Sequence, residues 1–322
     1  MKRDNDIDQL FDKAQRERRC VWSTGSAQRN KLMRRAAVNE LVRPLPRFFA
    51  RRDYWNRLSY HERIMHMMRT VAAMRKTWVL CLVSAAAVWG LTENMYLHGT
   101  IHIAKQYGNR TRNSECFTFH HIPEPAATTR HGVLVTGLLQ TVFDCARMCE
   151  FPDGLAICDA ALRKHLLTKD DLIAFCERNK RCAGIQQARS VIGFADGRSE
   201  NGGESKARGH FIEWGFEAPE LQAWFRNPVT NASARVDFLW RLPDGRMIIG
   251  ELDGREKYIN PEMIQGQDVV DTVLRERERE TNLGLSGNVV IVRFTYMELI
   301  KHPQNVRQKL KLAGVPLRRQ SS

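Results

Sequence analysis

Apolar positions along the chain change period several times, and each change predicts an element. Over residues 6–19, Ile7, Leu10, Phe11 and Ala14 recur at helical spacing on one face, with charges elsewhere. A Ser-Thr-Gly-Ser break at 23–26 precedes a second helix, Gln28 to Leu41, rich in Arg and Lys. Pro44 and Pro46 make the following basic stretch to Arg52 extended. Ser59 with Glu62 forms a capping box that opens a helix to about Lys76. The apolar run 77–91 predicts a buried helix, too short to span a bilayer unaided. Alternating segments at 99–103, 115–119 and 132–136 predict short strands. Helical spacing returns at 137–150, 154–167 and 169–178, the last capped by Thr168 with Asp170 and Asp171 in its first turn. A polar, glycine-rich stretch at 193–203 is expected to be a linker, followed by a helix from Glu204 to about Trp214. Beyond it lie a strand at 221–226, a hairpin, a highly charged helix at 268–283, a buried strand at 288–294 and a helix at 297–312. No internal repeat is visible.

The hairpin changes the picture from packing to chemistry. Arg235 to Leu242 and Arg246 to Asp253 flank Pro243-Asp244-Gly245, which suits a three-residue loop with glycine in the left-handed region. That loop pairs Leu242 with Arg246 and so sets Asp237 across from Glu251. By strand alternation Val236, Phe238, Trp240, Leu242, Ile248 and Leu252 share a core face. Arg235, Asp237, Glu251 and Asp253 share the other, with Leu239 and Ile249 farther along. Carboxylates this close repel unless a cation or proton lies between them, which points to a divalent-metal site.

Composition adds a polyanion partner. The chain of 322 residues has 50 Lys and Arg against 36 Asp and Glu, a net charge of +14. Residues 1–75 carry 18 of those basic residues against 8 acidic ones, so the excess is concentrated at the N-terminal end. Helix, turn, basic helix and extended basic arm follow the order of a small winged helix-turn-helix. Arg29, Lys31, Arg34 and Arg35 would then approach DNA, and Arg47, Arg51 and Arg52 would lie along the wing. The eight cysteines make no Cys-x-x-Cys pattern and sit mostly among apolar residues, as expected in a reducing cytoplasm. No signal peptide is evident. His98, His102, His120 and His121 lack companion carboxylates at helical spacing and are expected to be strand-surface residues.

The pattern Asp237-x(13)-Glu251-x-Asp253 resembles the PD-(D/E)XK nuclease superfamily, with Asp253 standing where a lysine is usual. Further segments resemble a large actinobacterial family that couples an AbiEi-like antitoxin domain to a domain similar to very-short-patch-repair endonucleases. They are Trp55 to Glu62, Ser84 to Leu91, Gly132 to Thr136, Asp159 to Arg163, Glu204-Ser205 and Arg235 to Phe238. More specific are Gly250 to Tyr258, Glu276 to Glu280 and Val292 to Thr295. The resemblance covers about 55–300. It implies an α+β / α/β chain with an N-terminal helical, winged-helix-like region, a middle α+β domain and a C-terminal restriction-endonuclease-like mixed sheet flanked by helices. The expected boundaries are 1–58, 59–192, a linker at 193–203, and 204–322.

By the same resemblance Asp237 and Glu251 would be the primary ligands of Mg²⁺, with Mn²⁺ as a substitute. Glu204 would be a further ligand or a supporting carboxylate, and Asp253 would hold a second metal or a water. Lys257 would steady the nucleophile or the developing oxyanion. Arg277 and Arg279 would meet phosphates, or else pair with Glu276 and Glu280. Besides a decayed nuclease kept as an interaction protein, two functions remain open. One is a Mg²⁺-dependent DNA endonuclease. The other is an AbiEi-like antitoxin that represses its promoter without cutting and has a nucleotidyltransferase toxin as partner. Both place the protein in the cytoplasm, with DNA and no membrane among its contacts.

Overall fold

A computed structural model describes residues 5–106, 110–122, 125–226, 233–253 and 288–318. Lys257, Arg277, Arg279 and the charged helix expected at 268–283 lie outside them. The chain is α+β and divides into two compact units, residues 1–149 with 167–193, and 150–166 with 194–322. No described helix is long and apolar enough to cross a membrane.

The first unit starts with α1 (Asn5–Arg16), β1 (Val21–Trp22), α2 (Ser26–Ala37), β2 (Leu41–Val42) and β3 (Phe48–Arg51). The three strands form an antiparallel sheet in the order β1-β3-β2. Ile7, Phe11 and Ala14 of α1 pack with Leu32 of α2 and Phe49 of β3, so the helical apolar faces close on the sheet. After α3 (Arg52–Asn56), the Ser59–Glu62 capping box opens α4 (Tyr60–Met74) as its residues predict. A larger core joins Cys20, Leu45 and Phe48 to Met67, Met68, Ile101 and Val135. This shared core means that residue 58 does not mark a packing boundary.

The run expected as one helix over 77–91 is a strand, β4 (Val79–Leu80), followed by α5 (Leu82–Val88). Leu80 pairs with both Ile103 and Val135, and these sheet partners override helix formation in a segment whose uniform apolarity carries no period. β4 lies at the centre of a five-stranded sheet, β6-β5-β4-β8-β7. Its other strands are β5 (Ile101–Lys105), β6 (Phe117–His121), β7 (Ala127–Arg130) and β8 (Val133–Thr136). His98 is buried in a 3-10 turn, not on a strand surface, and burial pushes its imidazole down to about 3. His102 and His120 stack on neighbouring strands with ring nitrogens 2.8 Å apart. The unit continues through α6 (Leu138–Met148), α8 (Lys169–Arg178) and α9 (Ile185–Phe194).

The second unit includes α7 (Phe151–Arg163), which the sequence alone assigns to the middle domain. α7 packs on α10 (Gly202–Glu213), with Gly209 so close that an added Cβ would lie 2.5 Å from the Pro152 Cα. Between them Arg208 donates to Asp159 at 2.6 Å, and Asp159 also accepts the Asp196 amide at 2.8 Å. The stretch 193–203 is therefore packed structure, not a free linker. α10 covers a four-stranded mixed sheet, β12-β11-β10-β9. Its strands are β9 (Glu220–Arg226), β10 (Ser233–Arg241), β11 (Met247–Asp253) and β12 (Val289–Thr295). β11 and β12 run parallel and the other pairs antiparallel. The helix expected over 297–312 is two, α11 (Tyr296–Lys301) and α12 (Pro303–Ala313), because Pro303 lacks the amide that would continue the first.

Candidate acidic site on the C-terminal sheet

The hairpin has the register its loop predicts. Phe238 pairs with Gly250 and Arg241 with Met247, the Leu242 amide donates to Arg246, and Gly245 has φ +85°. Continued by one residue, that register puts Asp237 opposite Glu251. Phe238, Trp240 and Ile248 pack against Phe211 of α10, with Leu242 and Leu252 at the margin. Val236 does not join them; it packs with Leu239 and Ile249. The cause is local. Gln222, which faces Asp237, has a left-handed φ of +52°, and the ladder between β9 and β10 skips this pair. Such a φ costs a non-glycine residue about 1–2 kcal/mol. Here it accompanies a re-aimed side chain: Gln222 Nε2 donates to Glu204 at 2.9 Å.

Glu204 is buried near the start of α10, a helix capped by the Asn201 side chain. Its carboxylate also accepts the Glu200 amide at 2.8 Å and Asn201 Nδ2 at 2.6 Å. Burial first, and the nearby charge of Asp237 second, push its carboxyl up to about 7, against a smaller lowering by the Gln222 hydrogen bond. Asp237 accepts the Leu252 amide at 2.9 Å, so its side chain bridges from β10 to the end of β11. Arg235, one turn of the pleat away, pairs with Glu200.

Glu251 and Asp253 meet a different partner. Arg293 lies beside Glu251 in the parallel register of β11 and β12. Its guanidinium reaches Glu251 at 2.9 Å and Asp253 at 3.5 Å. Lys309 of α12 donates to the Arg293 carbonyl and pairs with Glu298. The expected carboxylates are thus brought to one end of the sheet in two sets, Glu204 with Asp237, and Glu251 with Asp253 around Arg293. Their chemistry suits a hard divalent ion, but their arrangement does not. Among the described residues no three His, Cys, Asp or Glu converge to hold a metal. Each carboxylate already has a protein donor, and Arg293 supplies the positive charge. Gln222 is not among the residues the sequence marks. A polar residue on an apolar strand carries no motif, and only its place opposite Asp237 marks it.

The basic residues of the first unit separate clearly. Arg29, Lys31 and Arg34 are exposed on α2. Arg47 lies 4.9 Å over the Trp22 ring and donates to the Ser23 carbonyl. Burial, with the charge of Glu115 second, pushes the Cys116 thiol up to about 11, against smaller lowering by Arg47, Arg29 and Arg43. Arg35 is a correction. It is buried and pairs with Asp8 at 3.0 Å and Glu40 at 3.4 Å, because its position one residue after Arg34 turns it towards α1. Arg51 is likewise engaged, with Asp12 at 2.6 Å, and braces α1 on the sheet. Arg52 donates to the Asn39 carbonyl at 2.6 Å. All eight cysteines are free.

No family model matches the chain. It is similar to the uncharacterized proteins Rv2248 and MT2308 of two Mycobacterium tuberculosis strains, 34% identical over 173 residues in each case. The match takes in 52% of this chain and spans about 60% of the length of those curated relatives.

Proposed function

We propose that this chain is a cytoplasmic DNA-binding protein whose C-terminal unit is a PD-(D/E)XK-like endonuclease domain acting on phosphodiesters. The observation that carries the reading is the meeting of Glu204, from a helix, with Asp237, from a hairpin whose register sets it opposite Glu251. Two of these carboxyls are close enough for one charge to raise the other, an expensive arrangement that perturbed functional sites share. Mg²⁺, or Mn²⁺ in its place, is the cofactor such an enzyme takes; it supplies an activated water and offsets phosphate charge. As the carboxylates stand they do not form its cage, since Arg293 holds Glu251. In the N-terminal part, the basic face of α2 with Arg29, Lys31 and Arg34 would meet backbone phosphates, and Arg47 would flank it on the hairpin side. The three-stranded sheet under that helix supports the winged-helix reading.

A second reading, an AbiEi-like antitoxin that binds DNA and a nucleotidyltransferase toxin without cutting, is favoured by one observation. Asp253 stands where a lysine is usual and is itself held by an arginine. The test is nicking of supercoiled plasmid by the full chain with Mg²⁺ or EDTA, beside Asp237→Asn. Metal-dependent nicking lost in the variant supports the endonuclease. Intact plasmid throughout, with duplex binding retained, supports the antitoxin reading instead.

A further inference from the structure

We infer that Arg293 is the built-in counter-cation of the acidic site and competes with a divalent metal ion for Glu251 and Asp253. The inference rests on the acidic-site reading but not on cleavage. Three observations on β11 and β12 carry it. The parallel register sets Arg293 directly beside Glu251, so the contact comes from backbone pairing and not from a chance surface rotamer. One guanidinium spans both carboxylates, at 2.9 and 3.5 Å, from a planar fork that can address two acceptors at once. Its backbone is fixed too, since Lys309 donates to the Arg293 carbonyl at 3.1 Å and the flanking Val292 and Phe294 are buried in the core.

The consequence follows from charge. Two carboxylates this close require a cation, and the Arg293 guanidinium lies on oxygens of both that a divalent ion would have to take. Metal entry must therefore break the Arg293 contacts, and affinity falls by the cost of that exchange. A lysine in the family's usual position would be a single ammonium on β11 itself. Here the cation comes from the neighbouring strand and sits on the carboxylate a metal would need.

The experiment is Mn²⁺ binding to the full chain, read by the electron paramagnetic resonance signal of free Mn²⁺. Arg293→Gln is expected to tighten binding at least tenfold over the wild type, and Glu251→Gln in the same background to abolish the gain. Arg293→Lys, which cannot span both carboxylates, is expected to show a smaller gain in the same direction, and it decides the question if the glutamine variant does not fold. Wild-type affinity in a folded Arg293→Gln or Arg293→Lys overturns the inference, even if the wild type nicks plasmid. A tenfold gain without any nicking upholds it while removing the endonuclease reading.

Discussion

Between α7 and α10, Arg208 and Asp159 meet at 2.6 Å with 4% and 0% of their side chains exposed. At the end of β11, Arg293 meets Glu251 at 2.9 Å with 27% and 16% exposed, and Asp253 with 42%. The chemistry is the same and the settings are opposite. Burial pushes the Asp159 carboxyl up even with the guanidinium beside it, so that pair is a costly device that fixes where α10 lies. Glu204 and its hydrogen-bonded shell are carried by that helix. The open pair stabilises less and remains reachable by ions from solvent. The buried pair and the open acidic pair are thus distinguished by exposure and not by residue type.

The largest expected effect separates the two. Asp159→Ala strands a buried guanidinium and should cost about 3–5 kcal/mol in urea denaturation. Glu251→Ala, at the open pair, should cost about 1 kcal/mol or less. Equal losses would break the comparison. Gly209→Ala sharpens it from the packing side, since its Cβ would meet backbone at Pro152 that cannot swing away. A loss of about 1–3 kcal/mol is expected in the same assay.

The neighbours Arg34 and Arg35 repeat the contrast in the N-terminal sheet. Arg34→Ala should leave the melting temperature unchanged, weaken duplex binding and flatten its salt dependence by about one unit of slope. Arg35→Ala should instead lower stability by about 1–3 kcal/mol through the lost packing and the lost contacts of a buried guanidinium with Asp8 and Glu40, with any effect on DNA secondary to that. Fluorescence anisotropy across salt concentrations, beside thermal melts, reads both.

These contrasts also mark what the sequence makes legible. The hairpin register was readable because Pro243, Asp244 and Gly245 fix a loop length, and loop length fixes every pair beyond it. The capping box at Ser59 and the cap at Thr168 are readable because their partners lie within one turn, and Asp171 completes a box at the second. Long-range choices were not. Nothing local tells that Arg35 finds Asp8 while Arg34 faces solvent, or that β4 takes two sheet partners in a stretch that reads as helix. α9 carries no clear helical signal because Ala188, Val191 and Ile192 are diluted by polar neighbours. α7 belongs with the C-terminal unit through Asp159 and Arg208, which lie 49 positions apart. Gln222 depends on a backbone conformation that its residue type does not announce.

The pH dependence of Glu204 bears on the site most closely. Its carboxyl ionises at about 7 when folded and near 4.5 when unfolded, so the folded chain holds the extra proton between those values. Its contribution to stability is complete below about 4.5 and is lost as pH rises through 7. Glu204→Gln should therefore gain in melting temperature, relative to the wild type, between pH 5 and pH 8. The most direct measurement is a carbon-13 NMR titration of the Glu204 carboxyl in the wild type and in Asp237→Asn. A single acidic site predicts a midpoint of about 7 that drops when the Asp237 charge is removed. An ordinary glutamate midpoint, indifferent to Asp237→Asn, would contradict the convergence of helix and hairpin on one site.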